Sequence, residues 1–197
     1  MVTIRAERPV DESAREALLD VAYGDIRHTK PSARLRKGRL PAEGLALVAI
    51  ERGKMLGTVR LWNVSAGGRD ALLLGPLAVH PEARNRGIGS ALMQRALSEA
   101  AQRGHGAVIL VGDESYYGRF GFSATKTGAL RLTAACDPAR LLAHELVPGA
   151  FDGAAGRFRA TGRRAPNAAL AGLTALAAKA GLKTAVKGRT RLLPRAA

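Results

Sequence analysis

VHPEARNRGIGSALMQ, residues 79–94, decides how the rest of this 197-residue chain is read. Val79 closes an almost wholly apolar run, ALLLGPLAV (71–79), of the composition expected for a central strand. A polar turn carrying Arg84 and Arg86 follows, then Gly87-Ile88-Gly89 and a long helical pattern. Within 87–104, Ile88, Leu92, Ala96 and Ala100 recur four apart, Leu97 lies beside them, and Gly104 marks the stop. This order sets the unpaired N–H donors and partial positive charge of a helix N-terminus beside two arginines. Glycines there leave the backbone uncovered and open to positive φ. The arrangement points to an anion, and to a phosphate above all. The alternative, that Gly87 and Gly89 only let the helix approach the sheet, is weakened by the whole strand–Arg-x-x-Gly-x-Gly–helix context.

Two common phosphate motifs are excluded. A dinucleotide fingerprint needs a third glycine where this chain has Leu92. The Walker pattern, with its lysine and hydroxyl residue after the second glycine, is absent.

Outward from this segment the chain alternates strands and helices. VTIRA (2–6) reads as a half-buried strand, and Asp11 or Ser13 as the cap of a helix with Ala14, Ala17, Leu18 and Val21 on its apolar stripe. Residues 24–41 are polar, basic and broken by Pro31, Gly38 and Pro41, a loop around a short helix. LALVAIE (45–51) and KMLGTVRLWNV (54–64) flank Arg52-Gly53 as a hairpin. Gly75-Pro76 interrupts the next strand, because proline cannot donate to a sheet ladder and marks a bulge or an unpaired position. GAVILVG (106–112) reads as a buried strand, SYYGRF (115–120) as a helical turn, and HELVPGAF (144–151) and GRFRAT (156–161) as closing strands. The predicted architecture is α/β in the mixed, α+β sense, a mixed sheet with helices on its faces and no internal repeat.

At this point the residues resemble a known family. Arg84-x-x-Gly87-x-Gly89, preceded by Leu77-Ala78-Val79-His80-Pro81, is similar to the acetyl-CoA motif of the GNAT superfamily of N-acetyltransferases. Tyr117-Gly118-Arg119-Phe120-Gly121-Phe122 matches the Tyr-x-x-x-Gly-Phe signature after the fifth strand. The pairing of GPLAVHPE…RGIG with VGDESYYGRFGF is close to the YhbS-like branch, and the resemblance covers residues 2–161. It implies a GNAT fold, a mostly antiparallel twisted sheet whose central strands splay to admit acetyl-CoA. Leu77, Ala78 and Val79 would meet the pantetheine arm, the Val79 N–H polarising the thioester carbonyl. The amides of Arg84, Asn85, Arg86, Gly87, Ile88, Gly89 and Ser90 would wrap the pyrophosphate, the two arginines adding charge. Tyr117 would protonate the departing thiolate, with Tyr116 as its adjacent rival and Phe120 and Phe122 as packing residues.

No carboxylate lies on LLLGPLAV to act as the base, so Asp113, Glu114 and His80 are the candidates, and an amine of lowered pKa needs none. His28, His105 and His144 lack metal-ligand spacing, and no metal is expected. The implied activity is acetyl transfer to a primary amine of a small molecule or protein by direct attack in a ternary complex. A non-catalytic CoA-binding module tethered to nucleic acid is the alternative.

Composition sets the outer limits. Apolar residues make up 47% and charged residues 24%, which excludes collagen, a disordered polymer and a disulfide scaffold for the whole chain. Cys136 is the single cysteine, too few for a disulfide or a multi-cysteine zinc site. The N-terminus lacks the apolar core of a signal peptide and no stretch suits a membrane span, so no membrane and a cytoplasmic address are expected. The net charge is +15, and residues 153–197 hold ten basic residues and no acid. Residues 162–197 read as a basic Ala/Gly-rich extension with one weak helix over 166–180. A solvated arm, a docked helix or a homodimer contact, and a non-specific nucleic-acid contact are its open readings. Arg34, Arg36, Lys37 and Arg39 suit an acidic acceptor or the 3′-phosphate of the cosubstrate, beside the plainer reading of a solvated loop.

Overall fold

A computed structural model describes residues 1–132 and 136–166. The helix expected over 166–180 and the rest of the basic extension lie outside the described residues from 167 onward.

The strands are β1 (Thr3–Ala6), β2 (Ala46–Glu51), β3 (Lys54–Ala66), β4 (Arg69–Val79), β5 (Ala107–Val111), β6 (Leu130–Arg131), β7 (Leu141–Glu145) and β8 (Gly156–Ala160). The helices are α1 (Glu12–Tyr23), α2 (Ile26–Thr29), α3 (Ala33–Arg36), α4 (Ile88–Gln102) and α5 (Glu114–Tyr117). The sheet runs β1-β2-β3-β4-β5-β7, with β8 pairing both β3 and β6. Every pair along that path is antiparallel except β4 with β5, the mixed sheet that the sequence pattern predicts.

The two helices that matter cover opposite faces. Leu47 and Ala49 of β2 join the core beneath α4, while Val48 between them joins the cluster beneath α1. Ile88, Leu92, Met93, Ala96 and Ala100 of α4 are buried in that first cluster, the stripe read from their spacing. The β2–β3 hairpin turns at Arg52 and Gly53, both at positive φ (48° and 77°), as a twist-matched two-residue turn requires.

α1 departs from expectation. Its buried residues are Arg15, Leu18 and Leu19, while Ala14, Ala17 and Val21 are exposed. The cause is Arg15, whose guanidinium is buried against Glu7, and Glu7 also holds Arg60 of β3. That shared carboxylate fixes the rotation of the helix, and apolar spacing alone cannot reveal it. Neither expected cap operates on α1, because the Asp11 carboxylate receives Arg5 and the Arg8 amide instead. The segment predicted as a strand over 144–151 is mostly turn; the strand is β7, beginning at Leu141 where it pairs Val111.

Gly75-Pro76 does form a bulge. Val59 pairs Leu77 and Leu61 pairs Leu74, so two residues of β4 oppose only Arg60. The extra residue inverts the alternation of the strand. Leu72 and Leu74 pack with the α4 cluster before it, Leu77 and Val79 after it, and Ala78 turns to α1.

Candidate active site

The bulge also decides which backbone groups face the gap beside β4. The His80 amide donates to the Leu56 carbonyl of β3, so by alternation Ala78 points the same way and Leu77 and Val79 point away from β3. On that side β5 has left. The β4–β5 ladder registers only Leu72 with Val108 and Leu73 with Ile109. Beyond Leu73 the strands splay and open a cleft of about 900 Å³ that reaches Leu74, Leu77, Leu110, Gly112 and Tyr117.

At the end of β4 the chain makes a 3₁₀ turn, Pro81–Ala83, and then the cradle. Asn85 stands at φ 61° and Gly87 at φ 74°, left-handed positions on either side of Arg86. Left-handed residues alternating in this way turn successive amides toward one point and make an anion-binding concavity. The first amide after the turn to find a backbone acceptor is Ala91, on Gly87 O at 3.0 Å. The amides from Asn85 through Ser90 therefore have no acceptor among the described residues. Arg84 differs from expectation here, since its amide is taken by Pro81 O at 3.2 Å and only its exposed side chain is free for an anion. Arg86 differs too. Its guanidinium contacts both carboxylate oxygens of Glu51 at 2.9 Å, so part of its charge is already answered.

The adjacent tyrosines part company. The Tyr116 hydroxyl lies over Gly89, 2.9 Å from where a side chain would begin, and its ring carries Arg119 at 4.2 Å. Tyr117 turns into the cleft, its ring against Gly112 and 6.1 Å from that of Phe122. Burial is the main reason that the Tyr117 phenol titrates above its ordinary range, with Tyr23 and Tyr116 adding to the shift. It therefore stays protonated at neutral pH, as a proton donor must. Phe122 is fully buried and Phe120 packs beside it, both structural.

Tyr23 was not legible as a site residue. It ends α1, and its hydroxyl donates to the Leu77 carbonyl, on the edge of β4 turned to the gap. Trp62 was also missed; its indole donates to Gly75 O at 2.6 Å and lines the same cleft. No local motif marks either residue, because only the bulge and the packing of α1 bring them to β4.

Of the candidate bases, Asp113 lines the cleft but is exposed and 3.3 Å from the Arg140 guanidinium. Glu114 is exposed in the first turn of α5. His80 caps its own turn, its Nδ1 accepting from the Glu82 amide at 3.4 Å. His144 sits with Nδ1 3.1 Å from Gly121 O and its ring against Phe122, a packing position. Among the described residues no cluster could hold a metal, and no helix is long and apolar enough to cross a membrane.

A model of the acetyltransferase (GNAT) domain matches residues 42–124, the stretch from before β2 to beyond the Gly-Phe signature. The uncharacterized N-acetyltransferase YhbS of Escherichia coli K12 is 29% identical over 155 residues, covering 78% of this chain and 92% of that protein. The crystal structure of the E. coli GNAT family N-acetyltransferase YhbS in complex with CoA aligns with TM-score 0.69, over 81% of this chain and 89% of that one. A GNAT family acetyltransferase of Brucella melitensis in complex with acetyl-CoA aligns with TM-score 0.54 at 29% identity, over 77% and 99%. With the splayed strands, the open amide cradle and both signature motifs in place, residues 42–124 match an acetyltransferase (GNAT) domain, and the chain is similar over most of its length to the N-acetyltransferase YhbS.

Proposed function

We propose that the protein transfers an acetyl group from acetyl-CoA to the primary amine of a small molecule, by direct attack within a ternary complex. The observation that carries the reading is the run of unpaired amides from Asn85 to Ser90 just beyond the end of β4, the strand whose splayed side faces the cleft that presents Leu77 and Tyr117. The residues present fit the cosubstrate: a diphosphate suits the amide cradle, and an amide-bearing arm suits the unpaired edge of Leu77 and Val79. In the balanced reaction the amine nitrogen bonds to the acyl carbon, the carbon–sulfur bond breaks, one amine proton leaves and the sulfur gains one.

The chain's own groups divide this work. The Val79 N–H is a fixed donor for the oxygen on which negative charge grows, and such a donor lowers the barrier because it needs no reorganisation. Tyr117 holds the proton that the sulfur takes, and its raised pKa keeps that proton in place beforehand. The amine must arrive as the neutral base, or its ammonium form must first give a proton to water, since no carboxylate lies on β4 beside the gap.

The relatives crystallised with CoA and acetyl-CoA support the cosubstrate, and the protonated Tyr117 in the cleft favours transfer over a module that only holds CoA. The test is calorimetric titration with CoA, followed by amine-dependent thiol release from acetyl-CoA for the wild type and Tyr117→Phe. We expect binding in both and a loss of about a hundredfold in kcat for the variant. CoA binding without acetylation of any amine would leave the non-catalytic reading, and no CoA binding would end both.

A further inference from the structure

The loop predicted over 24–41 folds as α2 and α3 and carries cations into the cleft. Lys30 Nζ stands 3.7 Å over the Tyr23 ring, and Arg36 Nε makes only a long 3.4 Å bond to Ser32 O in its own segment. Both are half-buried and both line the cleft. Of the other cations that line the cleft, Arg27 is answered by Glu16 and Asp20, Arg60 by Glu7 and Arg140 by Asp113, while Arg34 and Lys37 are exposed to water. Lys30 and Arg36 have no carboxylate within 4.0 Å among the described residues. Glu16, which also lines the cleft, is engaged by Arg15 and Arg27.

The two cations also oppose each other's charge. Burial, then Arg36 and Arg140, hold the Lys30 ammonium below its ordinary pKa, and burial does the same to Arg36. Half-buried charge without a partner is costly, and an anion between the two relieves it. The pyrophosphate of CoA does not account for the pair, since none of residues 79–90 lines this cleft, and anion titration of the CoA-saturated chain tests the 3′-phosphate.

Building on the acetyl-transfer reading, we infer that the acceptor is a small amine that also bears a carboxylate or phosphate, and that Lys30 and Arg36 bind that anion beside the splayed strands. The anion anchors the molecule on the α2–α3 side, and its amine is left to reach the gap at Leu77. The acceptor class is thus amino acids and amino phosphates rather than plain amines.

The experiment uses the full chain saturated with CoA or supplied with acetyl-CoA. Two matched pairs are compared in thiol release, butylamine with 4-aminobutyrate and ethanolamine with phosphoethanolamine, so that the pairs separate carboxylate from phosphate. The anion-bearing member is expected to have a kcat/KM at least tenfold higher, and Lys30→Gln/Arg36→Gln to lose about tenfold or more, chiefly in KM. Arg157→Gln, an exposed arginine of β8, is the charge control and leaves the preference as in the wild type.

Binding is read independently from Trp62, the single tryptophan, which lines the cleft. Inorganic phosphate and glutarate are titrated into the CoA-saturated chain while its fluorescence is followed. A saturable change with at least one anion, weakened about tenfold or more in the double variant, supports the inference. No response in the wild type, an unaltered titration in the double variant, or equal use of both members of each pair overturns it. CoA affinity, measured first, shows that each variant is folded. A wild type that fails to bind CoA overturns the acetyl-transfer reading itself, whereas CoA binding with no anion preference overturns only the acceptor class.

Discussion

Tyr117 lies so close over Gly112 that a methyl group on the glycine would stand 2.2 Å from ring atom Cε2 and 2.7 Å from Cδ2. The end of β5 therefore aims the phenol proposed as the proton donor, because a bare α-carbon leaves the ring room to rest at that depth. Gly112→Ala must swing the ring out. We expect kcat to fall by about tenfold or more and stability by about 1–3 kcal/mol, since overpacking a filled site forces its neighbours off their rotamers. Thiol-release kinetics and thermal unfolding measure the two effects. A variant with normal kcat would show that the seat of Tyr117 is dispensable.

Gly87 is held at φ 74°, a conformation that costs a residue bearing a β-carbon roughly 1–2 kcal/mol. Gly87→Ala is expected to lower stability by about that amount. If the backbone relaxes to negative φ instead, the amides around it cease to converge, and CoA affinity falls by about tenfold. Urea unfolding and calorimetry distinguish these outcomes, and a variant unchanged in both would contradict the cradle.

Glu51 opposes the site that it borders. Its carboxylate, held below its ordinary pKa chiefly by Arg86, shares that guanidinium with any phosphate in the cradle. Glu51→Gln frees Arg86, and CoA binding is expected to strengthen about two- to threefold at low salt, the range of an exposed ion pair. The gain should vanish near 1 M salt, where the screening length is about 3 Å. Affinity that falls on this substitution would mean that Glu51 orients Arg86 rather than competing for it.

Asp11 makes stability depend on pH. Arg5 in the main, then the Arg8 amide, lowers its pKa to about 2. A carboxyl depressed in the folded state contributes fully above its unfolded pKa of about 3.9, and the contribution is lost as pH falls through the folded value. Asp11→Asn should therefore cost on the order of 1–2 kcal/mol at pH 7, with the gap to wild type closing from about pH 4 to pH 2. Denaturant midpoints across that range measure it, and a gap independent of pH would remove the ion pair as its source.

Local features were legible where local chemistry decides them. Arg52-Gly53 turns the hairpin, Ile88 to Ala100 face the core, and Gly75-Pro76 breaks the ladder. The buried face of α1 was not legible, since Arg15 is buried by a carboxylate that precedes the helix and is shared with β3. β6 and the start of β7 were missed for a related reason. Leu130–Arg131 is a strand only because β8 lies beside it, and Leu141 only because Val111 does.

The strand, the cradle and the long helix were determined by the amino-acid order alone, because residues 71–104 are contiguous and each step depends on its neighbours. The Gly-x-Gly and Tyr-x-x-x-Gly-Phe patterns carried the resemblance to GNAT acetyltransferases in the same way. Only the tertiary structure decided which of two adjacent tyrosines enters the gap, that Glu51 takes part of the charge of Arg86, and that Lys30 and Arg36 share a cleft with Tyr23. Those relations join residues far apart in the chain. Their distances follow from strand register and from which side of α1 is buried, and no window of sequence contains either.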